Sequence, residues 1–435
     1  MNTLRIPVAF VIGGALLIAG CAKPNGAGKP GEAAGAKVTK IEAGPDAQKR
    51  AQTALINAKP GEVIEFGEGK FELTSTLSCD KSDITIRGKG HDKTILAFNQ
   101  QGQGTGGEGL SITGKSKVTI EDLAVEDAKG DAVKVSGCDG LILRKVRTSW
   151  TGGPKETNGA YGLYPVLSKN VLIEDCIAKD ASDAGIYVGQ SEKIIVRRCR
   201  AENNVAGIEI ENSIDADVYE NVATGNTGGI LVFSLPDLTL KVGHHCRVYN
   251  NEVIANNHDN FAPKGNAVAN VPPGTGVMIL ASRDVEVFDN KIENNQSTGV
   301  SICSYIVTQK PYKQDKGYDP YCEAIDVHNN KFVGNGQKPG GALGTLITMV
   351  INDKVLPDII YDGAVDPDKY ADGKLPEARG ISVRDNGEAG FVNFDVIGLD
   401  ISNPLAPKPG KVSRDATAYQ AKLPALNAVT LEGVN

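Results

Sequence analysis

The feature that most constrains the fold is a short phrase that recurs six times between Val171 and Asn335. Each copy has an aliphatic residue, an Asn or Cys three positions later, and an apolar residue two positions after that. Counted at the Asn or Cys, successive copies lie 23, 22, 30, 39 and 40 residues apart. A period near 22 residues that is lengthened by whole insertions indicates stacked coils, because extra residues leave the stack as loops. The repeat therefore predicts a solenoid.

The coils of this solenoid are predicted to consist of β-strands. Each copy is a short run of alternating Val and Ile that ends at Asn, Asp or Gly, and Asn tolerates the left-handed backbone angles of a recurring bend. We therefore predict an all-β, right-handed parallel β-helix with three strands per coil and roughly ten to twelve coils. Stacked amides can hydrogen-bond to one another as a buried ladder. The predicted rungs are Cys176 and Cys199 as reduced thiols, followed by Asn221, Asn251, Asn290 and Asn330.

Composition agrees with one solenoid domain. The chain has 435 residues, 51 of them Gly, and aromatic residues make up only 5%. A solenoid can grow to this length without dividing, because each coil packs only on its neighbours. The net charge of −7 comes with no cluster of Lys or Arg, which argues against nucleic acid or an anionic membrane surface as the partner.

Residues 1–20 predict an export signal, in which Arg5 precedes an apolar run that is too short to span a bilayer. The residues around Cys21 (IAGC) resemble the bacterial lipobox, after which the Cys is lipidated; an ordinary secretory signal with a chance Cys is the alternative. Several acyl chains give stable anchoring. Ala22 follows the Cys, which by resemblance to Gram-negative lipoproteins implies the outer membrane, facing the periplasm or the cell surface. The lipid anchor is the only membrane attachment that we predict.

Four segments are predicted along the chain. Residues 1–20 are the signal, and residues 21–42 are the lipidated Cys with a flexible tether rich in Gly, Ala, Pro and Lys. Residues 43–401 form the β-helix, which begins with a capping helix over residues 43–58 and ends with strands at 381–383 and 391–399. Residues 402–435 form an irregular C-terminal cap. No long helical pattern is predicted between the two ends.

Cysteine usage leaves one pairing open. With Cys21 lipidated, seven Cys remain, and an odd number in an oxidising compartment leaves at least one free thiol. Cys303 and Cys322 bracket an insertion that a disulfide would close, and free thiols at both positions are the alternative. No CxxC or His-rich spacing is present, so the sequence does not support a zinc or covalent haem site.

The N-terminal part of the repeat region resembles a known superfamily. Residues 58–77 (AKPGEVIEFGEGKFELTSTL) and 83–96 (DITIRGKGHDKTIL) are similar to the opening of pectate-lyase-like β-helix proteins. Residues 183–191 (DAGIYVGQS), 207–213 (GIEIENS) and 257–263 (NHDNFAP) resemble the tandem parallel β-helix repeat family of exported bacterial proteins. This resemblance implies the fold and a lipoprotein or secreted state, together with a second exported protein as a partner. It does not imply a reaction.

One strand face is predicted to carry a binding groove. Alternation along the strand after the second Asn bend points Tyr164, Tyr187, Glu209, Glu211 and Phe233 outward. Insertions at residues 149–161 and 257–274 precede this strand, and insertions at 234–245 and 304–321 follow it. Loops on both sides predict a walled groove whose aromatic floor, formed by Tyr164, Tyr187 and Phe233, binds substrate. The alternative is that the loops fold down and bury this floor.

Four residues near this groove are candidates for catalysis: Glu209, Glu211, His258 and Asp259. Paired carboxylates suit glycoside hydrolysis. They also suit Ca²⁺ binding, in which case Lys264 or Arg283 is the candidate base of a lyase. The alternative is that each Glu is an ordinary surface residue that contributes only to solubility. Asp183 and Asp215 are expected within reach of the two Glu residues.

The sequence is compatible with two functional hypotheses. In the first, the protein binds and processes an acidic polysaccharide as a lyase, hydrolase or epimerase. In the second, it is a non-catalytic scaffold for a glycan or for a neighbouring exported protein. The Asn-Thr-Asp and Gly-His-Gly segments of polygalacturonase-like enzymes are absent, and His258-Asp259 matches only half of the epimerase Asp-Pro-His-Asp motif. Fold alone does not decide between the two hypotheses.

Overall fold

Three parallel sheets extend through the described chain from Val38 to Asn393, as the repeat predicts. The computed structural model describes residues 36–434 except 103, 105 and 404. Each coil adds one strand to sheet A, then one to sheet B and one to sheet C, except that the first coil contributes only to sheet A and the last only to sheets A and C. Every strand pairs in parallel with its counterparts in adjacent coils. Crossovers between parallel strands are right-handed. The predicted right-handed parallel β-helix is confirmed.

The strands of the three sheets are as follows in the described part of the chain. Sheet A consists of Val38–Ile41, Glu62–Phe66, Ile84–Arg87, Ser116–Glu121, Asp139–Arg144, Lys169–Glu174, Glu192–Arg197, Ile214–Tyr219, His244–Tyr249, Arg283–Phe288, Glu323–His328 and Ile381–Arg384. Sheet B consists of Gly69–Glu72, Thr94–Ala97, Ala124–Glu126, Arg147–Ser149, Ile177–Lys179, Arg200–Glu202, Val222–Thr224, Glu252–Ile254, Lys291–Glu293 and Lys331–Val333. Sheet C consists of Leu77–Cys79, Leu110–Thr113, Val133–Ser136, Tyr161–Val166, Ala184–Gly189, Ala206–Glu211, Gly228–Phe233, Thr275–Leu280, Thr298–Cys303, Ile359–Tyr361 and Phe391–Asn393.

Asn ladders hold the bends between the sheets. At the bend from sheet A to sheet B, Asn221 Nδ2 donates to Asn251 Oδ1 at 3.0 Å, and Asn251 Nδ2 donates to Asn290 Oδ1 at 2.9 Å. Asn330 continues this column, so the predicted ladder is confirmed. Each amide also accepts from the backbone N–H of the rung before it, which satisfies a buried donor that the tight bend would leave unpaired.

Two further columns complete the corners. The bend from sheet B to sheet C has its own amide ladder, whose rungs are Asn204, Asn226, Asn256, Asn295 and Asn335. At the corner from sheet C to sheet A, hydroxyl groups replace the amides. Ser213 Oγ accepts from the backbone N–H of Ser191, and Ser191 Oγ accepts from that of Ser168. This Ser column was not predicted from the sequence.

The cysteines in the described part of the chain are buried free thiols. Cys176 and Cys199 continue the first Asn column, as predicted, with Cys199 Sγ 3.2 Å from the carbonyl oxygen of Arg197. Cys303 and Cys322 do not form a disulfide. Cys322 Sγ instead donates to the carbonyl oxygen of Cys303 at 3.2 Å, so the alternative of free thiols is correct. Cys21, together with the predicted signal and most of the tether, lies outside the described residues.

Both ends of the solenoid are covered. The α-helix Ala47–Asn57 buries Ala47, Ala51 and Leu55 against the first coils, which confirms the predicted N-terminal cap. The strand Val38–Ile41, within the segment predicted as tether, pairs with Glu62–Phe66 and extends sheet A by one strand. At the other end, the Tyr419 ring lies 4.9 Å from that of Phe391.

One internal helix was not predicted. The α-helix Gly341–Ile351 buries Ile347, Val350 and Ile351 against a small apolar cluster that includes Ile360 and Phe394. Its sequence (GALGTLITMVI) is apolar on nearly all sides, so it lacks the amphipathic pattern by which a surface helix is recognised. Short 3₁₀ helices span Ala267–Asn270, Tyr305–Thr308, Glu377–Arg379 and Thr417–Tyr419. Among the described residues, no helix has the length and hydrophobicity needed to cross a membrane.

The last residues run back along the outside of sheet A. Successive contacts join the backbone N–H groups of Leu426, Val429 and Glu432 to the side chains of Glu286, Asp217 and Asn170, at 3.3, 3.1 and 2.9 Å. These acceptors lie on every second strand of sheet A. From one contact to the next, the tail advances by three residues and by about two coils, which is ~10 Å at ~4.8 Å per coil. Three residues span this distance only when the chain is nearly extended.

Candidate active site

The side chains predicted to floor a groove lie on the outward face of sheet C. Parallel register places Tyr187, Glu209 and Leu231 in one column, and Glu211 beside Phe233 in the next. The inward neighbours Ile208 and Ile210 belong to the core. The predicted alternation along these strands is therefore correct.

The prediction that this face is open to solvent is wrong. Tyr187 is 4% exposed, Glu209 1%, Glu211 8% and Phe233 2%. The insertions fold down over the strands, where Val268 and Val271 from one side and Tyr305 and Tyr318 from the other join a second apolar cluster. That cluster includes Tyr187, Leu231, Phe233, Met278 and Leu280. The physical reason is the apolar floor itself, because covering each Å² of it gains about 25 cal/mol.

Three carboxyl groups lie together beneath this cover: Asp183, Glu209 and Glu211. Tyr187 Oη donates to Glu211 Oε1 at 2.6 Å, and Asn266 Nδ2 donates to Asp183 Oδ2 at 2.9 Å. Glu209 Oε2 is buried and has no hydrogen-bond partner. Among the described residues, none of these three carboxylates forms an ion pair with Lys, Arg or His. The cluster is therefore acidic and lacks a compensating cation.

Burial sets the proton affinity of this cluster. Burial, followed by the charge of Glu211, raises the pKa of Asp183 to about 7. Burial raises the pKa of Glu209 well above its ordinary value, with Asp183 and Glu211 adding to the effect. Burial also raises the pKa of Glu211, while the hydrogen bond from Tyr187 opposes the rise. Each of the three carboxyls therefore holds its proton to a higher pH than an exposed carboxyl does.

Tyrosine side chains form the rim of the cluster. The ring of Tyr161 lies 4.4 Å from that of Tyr164 and 4.6 Å from that of Tyr187, measured between centroids. Tyr161 and Tyr164 are partly exposed, and Lys134 Nζ lies 5.3 Å from the centre of the Tyr164 ring. Burial raises the pKa of Tyr164 to about 12. Tyr164 and Tyr161 thus connect the buried carboxyls to solvent.

His258 and Asp259 are not hydrogen-bonded to the two Glu residues in the described part of the chain. His258 Nδ1 lies 2.7 Å from the backbone oxygen of Asp259, and its ring packs against Phe261. The four residues predicted as catalytic therefore differ in burial: the two Glu residues are buried, whereas His258 is partly exposed and Asp259 is exposed.

The predicted Ca²⁺ site does not assemble from these carboxylates. Among the described residues, two groups of side chains converge closely enough to hold a metal ion, and neither contains Asp183, Glu209 or Glu211. The candidate bases also lie elsewhere, since Lys264 is exposed on its loop and Arg283 belongs to a strand of sheet A. The donor set around Glu209 therefore does not fit a calcium-assisted lyase.

An open cleft of about 530 Å³ lies at the corner between sheets C and A. The insertions at residues 234–245 and 304–321 wall it, joined by the hydrogen bond from Tyr318 Oη to the carbonyl oxygen of Ser234 at 2.7 Å. Its cations are mostly paired: Lys241 Nζ lies 2.6 Å from Asp315 Oδ1, and Lys369 Nζ lies 2.6 Å from Asp319 Oδ2. Burial lowers the pKa of the His244 that lines the cleft. The cleft is therefore concave but nearly balanced in charge.

Asp183 was predicted from the sequence as a neighbour of the Glu pair, whereas Tyr161 and Asn266 were not predicted. Tyr161 begins its strand directly after an insertion, and Asn266 lies within one. Neither position belongs to the repeat phrase, so alternation could not assign them. Tyr161 lies three positions before Tyr164 on its strand, and this odd spacing would place it on the opposite face by simple alternation, so the sequence pattern gave no signal for Tyr161.

Comparison with known proteins agrees with the architecture. Residues 84–253 match the family model described as the right-handed beta helix region. No curated protein sequence matches the chain. The chain thus has a right-handed parallel β-helix fold, as the sequence predicts, while the pectate-lyase-like superfamily and the lipoprotein type stay predictions.

Similar solved structures include enzymes and a phage protein. The mannuronan C-5 epimerase AlgE4 A-module of Azotobacter vinelandii is 13% identical, with a TM-score of 0.49 over 74% of this chain and 89% of that chain. An alginate lyase from Paenibacillus sp. FPU-7 is 16% identical, with a TM-score of 0.47 over 68% and 96%. The gene product 12 N-terminal fragment of bacteriophage Phi29 is 14% identical, with a TM-score of 0.40 over 69% and 62%. At these values none of them assigns a substrate to this chain.

Proposed function

We propose that the protein is an acid–base enzyme that cleaves a glycosidic bond of a polysaccharide at Asp183, Glu209 and Glu211. The observation that carries this proposal is the burial of three carboxyl groups together without a cation. Burying such groups opposes folding, and strongly perturbed carboxyls concentrate at functional sites. The cluster is therefore explained better by chemistry than by stability.

Hydrolysis fits the charge of the cluster better than lyase or epimerase chemistry. Lyases and epimerases abstract a proton next to a uronate carboxylate, which needs a cation or metal ion to hold that group. Here the carboxyls face one another, with Tyr187 and Asn266 as neutral donors. A neutral sugar at the point of cleavage is therefore favoured. The acidic sugars that the sequence predicts would then lie elsewhere in the glycan, away from the cleaved bond, and they stay a prediction.

The residues divide into roles according to their surroundings. Glu209, whose pKa burial raises well above the ordinary value, serves as the proton donor to the leaving oxygen. Glu211, which accepts the Tyr187 hydrogen bond, is the carboxylate that assists attack on the sugar. Tyr161 and Tyr164 offer ring faces at the rim on which a sugar can stack. Entry requires the insertion that carries Asn266 to move away from Asp183.

Variant enzymes on a polysaccharide panel test this function. New reducing ends without absorbance at ~232 nm are expected, because hydrolysis leaves no unsaturated product. Glu209→Gln should lower turnover by at least about a hundredfold, while the exposed matched control Glu252→Gln keeps it. Thermal unfolding of each variant separates loss of chemistry from loss of fold. A product that absorbs at ~232 nm would show that the reaction is elimination and not hydrolysis. Absence of product on every glycan would refute the proposed enzymatic activity.

A non-catalytic scaffold is the second candidate, and the closed cover over sheet C favours it. Leu231, Phe233 and Met278 are packed beneath the insertions instead of lining an accessible groove. A scaffold would present the outside of those loops to a glycan or to a second exported protein. Affinity capture with a neighbouring exported protein, compared before and after Glu209→Gln, distinguishes the two candidates, since a scaffold has no need of that carboxyl.

We also propose that the protein is attached to the outer membrane through lipidated Cys21. Support comes from the sequence around this Cys and from the segment rich in Gly, Ala and Pro that separates it from the first strand. Such a tether would hold the β-helix near the membrane and leave its side surface accessible to a polysaccharide.

A further inference from the structure

A second group of titratable side chains lies on sheet A, apart from the carboxyl cluster of sheet C. Parallel register places Glu286 beside Asp326 on adjacent strands. His328 follows on the strand of Asp326, with Nε2 at 3.0 Å from Glu286 Oε1 and 4.0 Å from Asp326 Oδ2. All three side chains are buried. One donor atom from each lies within 4.8 Å of the others, so the three can contact a single ion.

Unsatisfied polar atoms belong to the same two neighbouring strands of sheet A, Glu323–His328 and Ile381–Arg384. Among the described residues, six buried side-chain polar atoms lack a hydrogen-bond partner, and four of them belong to Asp326, His328, Ser382 and Arg384. Ser382 is the register neighbour of Asp326 and is 0% exposed. Its Oγ projects on the same side of the sheet as the Asp326 carboxylate, because Ile381 and Val383 on either side point into the core. Buried polar groups are rarely left unpaired, so this cluster indicates a polar ligand.

The donor set selects the chemical class of that ligand. Two carboxylates and one imidazole suit divalent first-row transition ions, whereas calcium prefers a shell of oxygen alone. Donors that each lie ~2.1 Å from one ion are at most ~4.2 Å apart, which accommodates the 3.0 and 4.0 Å separations. Arg384 Nη2 donates to Asp326 Oδ2 at 2.9 Å, so this oxygen would offer an ion its remaining lone pair, and the unpartnered Oδ1 of the same carboxylate is a second available donor atom.

We propose that Glu286, Asp326 and His328 bind a divalent first-row transition-metal ion such as zinc. The ion would join two coils and would also steady the C-terminal tail, because Glu286 Oε2 accepts the backbone N–H of Leu426 at 3.3 Å. The other convergent group, His244, His245 and Asp284, is less suitable. Arg379 Nη1 already occupies Asp284 Oδ1 at 2.7 Å, and His245 is exposed.

Zinc itself is the probe for this site. The full-length protein is stripped with a chelator, reloaded with zinc, desalted and assayed for bound metal. One zinc per chain is expected, with a rise of the thermal midpoint because the ion binds the folded state. Slower hydrogen exchange of the tail around Leu426 is expected at the same time. Metal content and exchange do not depend on any enzymatic activity.

Two variants assign the bound zinc to these residues. His328→Phe removes the imidazole but keeps an aromatic ring to stack on Phe288, whose ring lies 5.2 Å away at an angle of 4°. This variant, and independently Glu286→Gln, should lose at least about tenfold in zinc affinity, while the control His245→Ala keeps the zinc. Absence of bound zinc in the wild type, or zinc lost from His245→Ala but kept in the other two, overturns the proposal. If His328→Phe does not fold, Glu286→Gln decides alone.

Discussion

Asn266 donates a hydrogen bond from Nδ2 to the Oδ2 atom of Asp183 at 2.9 Å, which joins the long insertion at residues 257–274 to the buried carboxyl cluster. The bond lowers the pKa of Asp183, but burial and the neighbouring Glu211 outweigh it. The loop that covers the site is thus attached to a carboxyl that burial keeps protonated to a higher pH than usual. Deprotonation of the cluster at higher pH should weaken the cover.

The first prediction concerns the pH dependence of stability. Because the pKa of Asp183 is raised to about 7 from an ordinary value near 4, the folded state holds a proton that the unfolded state releases. The free energy of unfolding therefore falls as pH rises from about 4 to about 7. Asp183→Asn, which is neutral at every pH, should gain stability relative to wild type as pH increases. Urea denaturation at about pH 5 and about pH 8 measures this change.

An exposed Asp serves as the control for that experiment. Asp368→Asn removes a carboxylate that stands in solvent, so it should leave the pH dependence of wild type unchanged. An Asp183→Asn variant with the same pH dependence as wild type would show that Asp183 is ionised in the folded protein. The proton would then have to reside on Glu209 or Glu211.

The second prediction concerns the first Asn ladder. Asn251 donates to Asn290 Oδ1 and to the carbonyl oxygen of Val218, and it accepts from Asn221. Asn251→Ala leaves these buried partners unpaired, so the free energy of unfolding should fall by about 1–3 kcal/mol. The exposed Asn99→Ala should change it by less than about 0.5 kcal/mol. Equal urea midpoints for Asn251→Ala and Asn99→Ala would contradict a structural role for the ladder.

The fold was predictable because each coil repeats the same local requirements. An inward Val, a bend at Asn251 or Asn290 and an alternating strand recur at fixed spacing, so the repeat determines both the architecture and the ladder. The candidate site was only half predictable. Alternation places Glu209 on the outward face, but exposure depends on insertions whose sequences do not repeat. The return of the tail along sheet A was not predictable either, since its partners, such as Asp217, lie about two hundred residues away.

The third prediction concerns the tail. Val429→Pro removes the N–H group that donates to Asp217 Oδ2 at 3.1 Å, whereas Ala428→Pro changes an adjacent exposed residue of the same extended segment. Limited proteolysis should cut the tail faster in Val429→Pro than in Ala428→Pro or wild type. Identical cleavage rates in the two variants would mean that this hydrogen bond does not hold the tail on sheet A.

The fourth prediction concerns membrane attachment through Cys21. Lipidation would add several acyl chains, enough for stable anchoring, so the wild-type protein should enter the detergent phase and sediment with outer membranes. Cys21→Ala should appear in the soluble fraction or retain an uncleaved signal. Cys79→Ala is a suitable control, because Cys79 is a buried free thiol of the β-helix and its loss should leave partitioning unchanged. Mass spectrometry of the N-terminal peptide provides the direct measurement. An unmodified Cys21 on soluble wild-type protein would rule out the anchor and favour an ordinary secretory signal.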